Sequence, residues 1–286
     1  MPEDLATPDT AAITDVYDRI GDVTAALLGG NIHLGYWADE HDTGSVREAT
    51  DRVTDMVGTR LGTQPGDRVL DVGCGNGQAS ARLAAELGVE VVGITISDHH
   101  LAQAKQLRSA GNLAFRLADA MALPFPDGCF DAVAAIESIS LMPQPERAVR
   151  EIARVLKPGG RVGIVSAVVR GPLNGPDQEF FDRMCRIMTR PPFETPLSYH
   201  TMLADAGLYT ESLKDIGDRV YKRSFEALVP ADSAELDREY QHLGVSAEEV
   251  AALADVLREF GHRPQAGYLV AVARKPGSGA AANKAG

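Results

Sequence analysis

Cysteine is scarce in this sequence, which argues against a disulfide framework and against a metal site built from cysteines. The 286 residues include three cysteines, Cys74, Cys129 and Cys185, an odd number without the spacing of metal ligands. Such a set predicts neither a disulfide framework nor a metal site. It is typical of reduced thiols in the cytoplasm.

A cluster of positive charge is also missing. Lysine and arginine together number 28 against 40 aspartates and glutamates, and the formal net charge is −12. This acidic balance disfavours nucleic acid and anionic membranes as partners, so the expected partner is a small neutral or apolar molecule. No apolar stretch reaches the length of a signal peptide or a membrane span, which predicts a cytoplasmic protein.

What the chain does have is a regular alternation of short apolar runs with segments of helical spacing. The expected strands are Arg68–Val72, Glu90–Ile94, Ala114–Leu117, Asp131–Ile136, Arg161–Val169, Thr210–Ile216 and Tyr268–Val272. Two helices precede them, Ala11–Leu28 and Ser45–Leu61, and the second opens with a capping box between Ser45 and Glu48. This alternation predicts an α/β fold whose parallel strands are covered by helices on both faces.

The same pattern divides the chain into a cap, a core with insertions and a tail. The expected parts are an N-terminal helical cap at residues 1–63, a core at residues 64–275, helical lid insertions near residues 171–197 and 224–263, and a disordered tail at residues 276–286. The amphipathic first helix packs either within its own chain or against a second copy, so the sequence leaves a homo-oligomer open.

The most informative segment is the glycine-rich turn after the first strand, Asp-Val-Gly-Cys-Gly-Asn-Gly at residues 71–77. Glycines let a backbone approach a ligand closely, although many tight turns need glycine for geometry alone. The glycine spacing differs from the dinucleotide fingerprint, and the carboxylate of Asp71 would repel a pyrophosphate. The turn therefore favours a cationic ligand over a nicotinamide cofactor.

This turn and the motifs that follow it resemble those of the class I S-adenosylmethionine-dependent methyltransferases. The later motifs are Gly-Ile-Thr-Ile-Ser at 93–97, Ala-Asp-Ala at 118–120, Phe-Asp-Ala-Val at 130–133 and Leu-Lys-Pro-Gly-Gly at 156–160. The resemblance covers roughly residues 64–169. It implies a Rossmann-like fold with a seven-stranded, mostly parallel sheet, and an enzyme that uses S-adenosylmethionine.

Carried over residue by residue, the resemblance implies a set of cofactor contacts. These are Asp71, Gly73, Gly75, Gln78, Thr95, Ser97, His100, Asp119, Ala120, Glu137 and Tyr36. Thr95 and Ser97 stand where many members have an acidic residue for the ribose hydroxyls. Asp119 is expected to accept from the adenine amino group, and its alternative role is to cap a turn.

The segment at residues 33–37 resembles one found in methyltransferases of natural-product sugars, sterols and tocopherols. Tyr36 or Trp37 would close over the cofactor, or would instead plug the core. Because open α/β sheets bind ligands at the carboxyl ends of their strands, the acceptor is expected after the fourth and fifth strands. The expected pocket residues are Tyr17, Ser140, Ser166, Phe180, Phe181 and Tyr199.

The catalytic base that similar sugar O-methyltransferases commonly carry is missing, since Ser140 and Ser166 align at its positions. A missing base favours an acceptor that needs no deprotonation. We therefore expect C-methylation of a prenyl, terpenoid or aromatic carbon of a natural product, through a cation that aromatic rings stabilise. The candidate catalytic residues are Tyr17, Glu137, Tyr199 and His200, of which Tyr199 or His200 would remove the final proton or merely open a helix.

Two alternatives stay open. O-methylation of a sugar or other hydroxyl can proceed by positioning of the reactants alone, with His33 as a further candidate residue. A non-catalytic module that only binds the cofactor is the second alternative, because a fold does not determine an activity.

Overall fold

The computed structural model describes residues 7–107, 111–229 and 246–277. The chain separates into two compact units. Unit 1 comprises Met1–Val53, Ala167–Thr195 and Ile216–Tyr268, and unit 2 comprises Thr54–Ser166, Pro196–Asp215 and Leu269–Gly286. The boundaries expected for the cap, core and insertions stay predictions. Part of the second insertion, residues 230–245, and the tail from residue 278 lie outside the described residues.

A seven-stranded sheet has the order β3-β2-β1-β4-β5-β7-β6. Its strands are β1 Arg68–Val72, β2 Glu90–Thr95, β3 Leu113–Leu117, β4 Phe130–Ile136, β5 Leu156–Val169, β6 Tyr209–Asp215 and β7 Ala266–Arg274. The pairs β1–β2, β1–β4, β2–β3 and β4–β5 are parallel, and β6–β7 is antiparallel. The predicted Rossmann-like architecture with a mostly parallel sheet is confirmed.

Strand β7 also runs antiparallel to β5. The amide of Gly159 donates to the carbonyl of Lys275 at 2.9 Å, and the amide of Lys275 donates to the carbonyl of Gly160 at 2.9 Å, so the start of β5 meets the end of β7. Because β6 is antiparallel to β7 in turn, β6 runs in the same direction as β5. The start of β6 therefore lies at the amino ends of the parallel strands.

The helices of the described residues are α1 Thr10–Leu27, α2 Val46–Leu61, α3 Gln78–Leu87, α4 Asp98–Ala104, α5 Pro145–Val155, α6 Gly175–Ile187, α7 Pro196–Asp205, α8 Tyr221–Leu228 and α9 Ala247–Phe260. The first two are close to the ranges predicted for them, Ala11–Leu28 and Ser45–Leu61. The capping box of α2 is confirmed, because Ser45 N donates to the Glu48 carboxylate at 2.7 Å and Glu48 N donates to Ser45 Oγ at 3.3 Å. Across the described residues, none of the helices combines enough length with enough apolar character to cross a membrane.

Burial separates the inner strands from the edge strands. Every residue of β4 except one is buried, which explains why its sequence lacks apolar and polar alternation. Strands β3 and β6 are mostly exposed. The expected burial of the strands between helices therefore does not extend to these two, which lie at the two edges of the sheet.

Unit 1 has an aromatic core. The rings are those of Phe180, Phe181, Phe193, Tyr221, Phe225, Phe260 and Tyr268, which contact one another mostly edge to face. Each such pair contributes about 0.5–1.5 kcal/mol beyond the burial of its surface. In the same unit Val23 of α1 packs against Val250 of α9. Part of the apolar face of α1 is thus covered within its own chain, and the homo-oligomer stays a prediction.

Candidate cofactor and acceptor site

Asp71 lies near the end of β1 and is only 2% exposed. It accepts a hydrogen bond of 2.5 Å from Ser80 Oγ on α3. Burial raises the pKa of Asp71 to about 6, and the hydrogen bond from Ser80 offsets part of that effect. A nearby cation would favour the ionised carboxylate. The end of β1 therefore provides a buried negative charge that a positively charged ligand can stabilise.

The glycines of the turn are required by their surroundings. Gly73 has a φ of +74°, and a Cβ there would lie 2.4 Å from Ser138 Cβ. Gly77 has a φ of +84°, and a Cβ there would lie 2.7 Å from the ring of Phe115. Backbone geometry and close packing alone thus explain both glycines, which is the alternative to ligand binding that the sequence left open. Gly75 is also in the left-handed region, and Gln78 is the first residue of α3.

The segment after β4 is held against this turn. Ser138 Oγ donates to the carbonyl of Val72 at 2.6 Å, and Ser138 is the residue that excludes a side chain at Gly73. The preceding residue, Glu137, donates its amide to the carbonyl of Val165 at 2.9 Å. Glu137 is half-buried and has a φ of +51°, which is uncommon for a residue other than glycine. A strained conformation of this kind is often found at functional sites.

Three residues predicted to contact the cofactor are buried where β2 leads into α4. Thr95 Oγ1 accepts from the amide of Ser97 at 3.2 Å, and Ser97 Oγ accepts from the amide of His100 at 2.9 Å. Ser97 is thereby the N-cap of α4. These bonds account for the two hydroxyl side chains locally, and their contact with the ribose stays a prediction.

Asp119 is exposed and caps the 3₁₀ turn at Ala120–Ala122 by accepting from the amide of Met121 at 2.8 Å. Its capping role is therefore real, and its second carboxylate oxygen takes no part in that bond. Two apolar side chains that the sequence analysis missed lie at the ends of neighbouring strands. Ile96 is 40% exposed directly after β2 and Leu117 is 49% exposed at the end of β3, so each leaves apolar surface open to a ligand at this edge of the sheet. An apolar residue directly at the end of a strand is the signal that would have indicated them.

At the ends of β4 and β5, the structure brings together two of the expected acceptor residues. Ser166 Oγ and the hydroxyl of Tyr199 on α7 are 2.6 Å apart, and both residues are fully buried. Ser140 is buried in the 3₁₀ turn Ile139–Leu141. Their contacts with an acceptor stay predictions.

His200 lies elsewhere. Its side chain is exposed, and its Nδ1 is 3.1 Å from Thr210 Oγ1 near the start of β6. The start of β6 is at the amino ends of the parallel strands, which is the edge opposite the glycine turn. The prediction that His200 removes a proton from the reacting molecule therefore gains no support from the structure.

In unit 1, Trp37 plugs the core. It is 2% exposed, its Nε1 donates to the carbonyl of Gly44 at 3.2 Å, and the guanidinium of Arg223 lies 4.7 Å from the ring. Tyr36 is half-buried and donates its amide to the carbonyl of Ala49 at 2.9 Å. His33 is buried, and burial lowers the pKa of its imidazole, so it is neutral at pH 7. Its Nδ1 is 3.0 Å from the carbonyl of Leu34, a local contact that gives it a structural role.

The remaining acceptor candidates also belong to unit 1. Tyr17 is half-buried on α1. Phe180 and Phe181 are buried on α6, within the aromatic core, and Phe181 also lines a cavity of about 290 Å³. Core packing alone therefore explains Phe180.

The arrangement in unit 2 fits an organic cation. A buried carboxylate, a turn with three glycines of positive φ and an exposed apolar pair lie at the carboxyl ends of neighbouring strands. A sulfonium amino acid with a flat base requires this combination of charge, close backbone approach and apolar surface. Within the described residues, no group of three or more His, Cys, Asp or Glu side chains is arranged to hold a metal ion.

Known proteins identify the family. A family model described as a methyltransferase domain matches residues 70–164. Methyltransferase GfsG from Streptomyces halstedii is 35% identical over 92% of this chain and 94% of its own length. The chain belongs to the class I S-adenosylmethionine-dependent methyltransferases.

Two further proteins are similar to this methyltransferase over almost its whole length. The 27-O-demethylrifamycin SV methyltransferase of Amycolatopsis mediterranei (strain S699) is 34% identical over 95% of this chain and 100% of its own. The crystal structure of the [4+2]-cyclase SpnF superposes on this chain with a TM-score of 0.78 and 30% sequence identity. The match covers 95% of this chain and 98% of the SpnF chain. The protein is thus an enzyme that uses S-adenosylmethionine for methyl transfer in natural product biosynthesis.

Proposed function

We propose that the methyltransferase transfers the methyl group of S-adenosylmethionine to a hydroxyl oxygen of its natural-product acceptor. The similar protein from Amycolatopsis mediterranei acts on 27-O-demethylrifamycin SV, which supports oxygen as the methylated atom. When bound, the cofactor supplies an electrophilic methyl group on a sulfonium. The residues of this chain must hold that cation and orient the acceptor.

The observation that carries the proposal is the conformation of Glu137. Its backbone is in the left-handed region, and it directly precedes Ser138, whose side chain packs on Gly73 of the cofactor turn. The carboxylate of Glu137 thus follows β4 directly, and the next residue in the chain contacts the cofactor turn. With the cofactor bound, Glu137 would accept a hydrogen bond from the acceptor hydroxyl, direct a lone pair of the oxygen towards the methyl group, and take the hydroxyl proton as the C–O bond forms and the bond between methyl and sulfur breaks.

This role for Glu137 removes the main reason for expecting C-methylation. That expectation depends on Ser140 and Ser166, which stand where a base is found in similar sugar enzymes. Neither serine needs to act as the base if the carboxylate of Glu137 takes the proton. A carboxylate in this position makes a hydroxyl acceptor chemically accessible, and positioned general-base catalysis contributes roughly 10²–10⁴-fold.

The methylated atom can be read directly from the product. The enzyme is incubated with S-adenosylmethionine carrying a ¹³C methyl group and a panel of hydroxylated natural products that includes 27-O-demethylrifamycin SV. A methoxy signal in the carbon NMR spectrum of the product is the expected result. A methyl signal on carbon would instead support the terpenoid or aromatic alternative, and cofactor binding without transfer to any acceptor would support a non-catalytic module.

The Glu137→Gln variant tests the proton acceptor. It keeps the shape of the side chain but cannot take a proton, so kcat is expected to fall roughly 10²–10⁴-fold with unchanged affinity for S-adenosylhomocysteine. The matched control is Glu90→Gln, at the exposed start of β2, which should leave kcat unchanged. Equal rates for the wild type and Glu137→Gln would refute this role.

A further inference from the structure

Unit 1 contains a cavity of its own beside α6. Its volume is about 290 Å³, close to the lower end of small-molecule sites, which span roughly 300–1,000 Å³. Its apolar lining includes Val169, Leu173, Phe181 and Phe193, together with the thiol-bearing Cys185. A cavity of this size and lining suits the apolar body of a small organic molecule.

A cation lies directly behind the wall of this cavity. Arg190 is only 6% exposed, and its guanidinium carbon is 3.5 Å from the centroid of the Phe193 ring. Arg190 Nε donates to the carbonyl of Pro191 at 3.2 Å, and the thiol of Cys185 lies 3.6 Å from the same oxygen. Since Cys185 and Phe193 both line the cavity, two of its wall residues adjoin the guanidinium.

The charge of Arg190 is not neutralised locally. Its Nη2 atom is buried without a hydrogen-bond partner, and none of the ion pairs found among the described residues includes Arg190. Burial raises the pKa of the Cys185 thiol to about 11, so this neighbour is uncharged at pH 7. The ring of Phe193 and the carbonyl of Pro191 stabilise part of the guanidinium, but the Nη2 donor has no acceptor, and an unsatisfied buried donor costs about 1–3 kcal/mol, more on a charged group.

The backbone next to Arg190 is strained. Thr189 has a φ of +44°, and the left-handed region is a genuine outlier for a β-branched residue. Strain of this kind costs about 1–3 kcal/mol and is retained where the surroundings require it. Thr189 directly follows the C-cap of α6, and the amide of Arg190 donates to the carbonyl of Cys185 at 3.0 Å, so the end of the helix accounts for this conformation. The unsatisfied Nη2 of Arg190 remains, and a ligand that accepts from it would explain that donor.

We propose that unit 1 binds a small organic carboxylate, with the carboxylate on Arg190 and the apolar body in the cavity. This site goes beyond methyl transfer and does not depend on it. A guanidinium offers two parallel donors that match a carboxylate, and the apolar lining favours an organic acid over an inorganic anion. Phe193, which is half-buried over the guanidinium, is the side chain that must turn to admit the carboxylate.

One negative group also lines the cavity and sets the orientation of the ligand. Asp182 is half-buried and accepts from Gln178 Nε2 at 2.8 Å. Its carboxylate repels an anion, so the acidic end of the ligand is expected on the side of Arg190. The Asp182→Asn variant should therefore bind an organic acid as tightly as the wild type or more tightly.

Calorimetry with the full-length protein tests the proposal. The probes are phenylacetate, its neutral analogue phenylacetamide, and inorganic phosphate. Phenylacetate is expected to bind about 10- to 100-fold more tightly than phenylacetamide, because a hydrogen bond to a charged group is lost in the amide. Absence of phenylacetate binding, equal binding of the amide, or tighter binding of phosphate would overturn the proposal.

The Arg190→Met variant separates a binding role from a structural one. Methionine keeps the apolar stem, so phenylacetate affinity should fall about 10- to 100-fold while the variant unfolds at the same or a higher urea concentration than the wild type. Arg186→Met, at an exposed arginine of α6, is the matched control and should change neither quantity. Arg190→Lys keeps the charge without the fork and should bind with intermediate affinity. If Arg190→Met bound phenylacetate as tightly as the wild type, the assignment would be refuted. If Arg190→Met does not fold, wild-type affinity for phenylacetate in Arg190→Lys would refute it.

Discussion

The buried carboxylate of Asp71, which is expected to bind the cofactor, is also expected to lower the stability of the folded enzyme when it is ionised. Burial raises the pKa of this carboxyl from its ordinary 3.8 to about 6. A difference of about two in pKa corresponds to about 3 kcal/mol of free energy between the two protonation states. The folded protein therefore holds the proton more tightly than the unfolded chain does. The proton on Asp71 therefore stabilises the folded protein. This stabilisation is complete below pH 3.8, the pKa in the unfolded chain, and is lost as the pH rises through about 6.

The Asp71→Asn variant removes the charge and keeps an oxygen that accepts from Ser80. We expect the variant to gain stability relative to the wild type as the pH rises, by about 2.5 kcal/mol between about pH 4 and about pH 8. Urea unfolding of both proteins across this range measures the difference. The variant should at the same time lose affinity for S-adenosylhomocysteine, because its ammonium group then lacks a buried negative partner.

The control for this experiment is Asp205→Asn, which changes an exposed aspartate at the end of α7 in the same unit. Its stability relative to the wild type should not vary with pH in this way. A stability difference between Asp71→Asn and the wild type that is the same at every pH would refute the reasoning. So would wild-type cofactor affinity in that variant.

Three further predictions follow from the same geometry. The affinity of the wild type for S-adenosylhomocysteine should fall as the pH drops below about 6, because Asp71 must then release a proton on binding, and calorimetry in buffers of different ionisation enthalpy should detect that proton. The Glu137→Gly variant should lose methyl transfer but should be as stable as the wild type in urea, or more stable by up to about 1 kcal/mol, because glycine accepts a φ of +51°. A marked loss of stability would contradict the strain at this residue. His200→Ala should leave kcat unchanged, because the side chain is exposed near the start of β6, and a large drop in kcat would show that this placement misses its role.

The sequence alone determined the features that depend on neighbours along the chain. The capping box of Ser45 and Glu48 uses side chains three residues apart, and the left-handed turns at Gly73 and Gly77 depend on the backbone freedom of single residues. The apolar runs of β1 and β4 reflect burial on both faces, which local composition records. These local rules, with the order of the motifs, were sufficient for the fold and for the family.

Only the tertiary structure decided which distant residues meet. Strand order places Ser138 on Gly73 and so positions Glu137, whereas the direction of β6 places His200 at the opposite edge of the sheet. Nothing near Arg190 in the sequence indicates that its guanidinium is buried without a carboxylate partner. Such facts depend on the strand order and on side-chain packing between segments far apart in the chain, and a pattern read along the sequence contains neither.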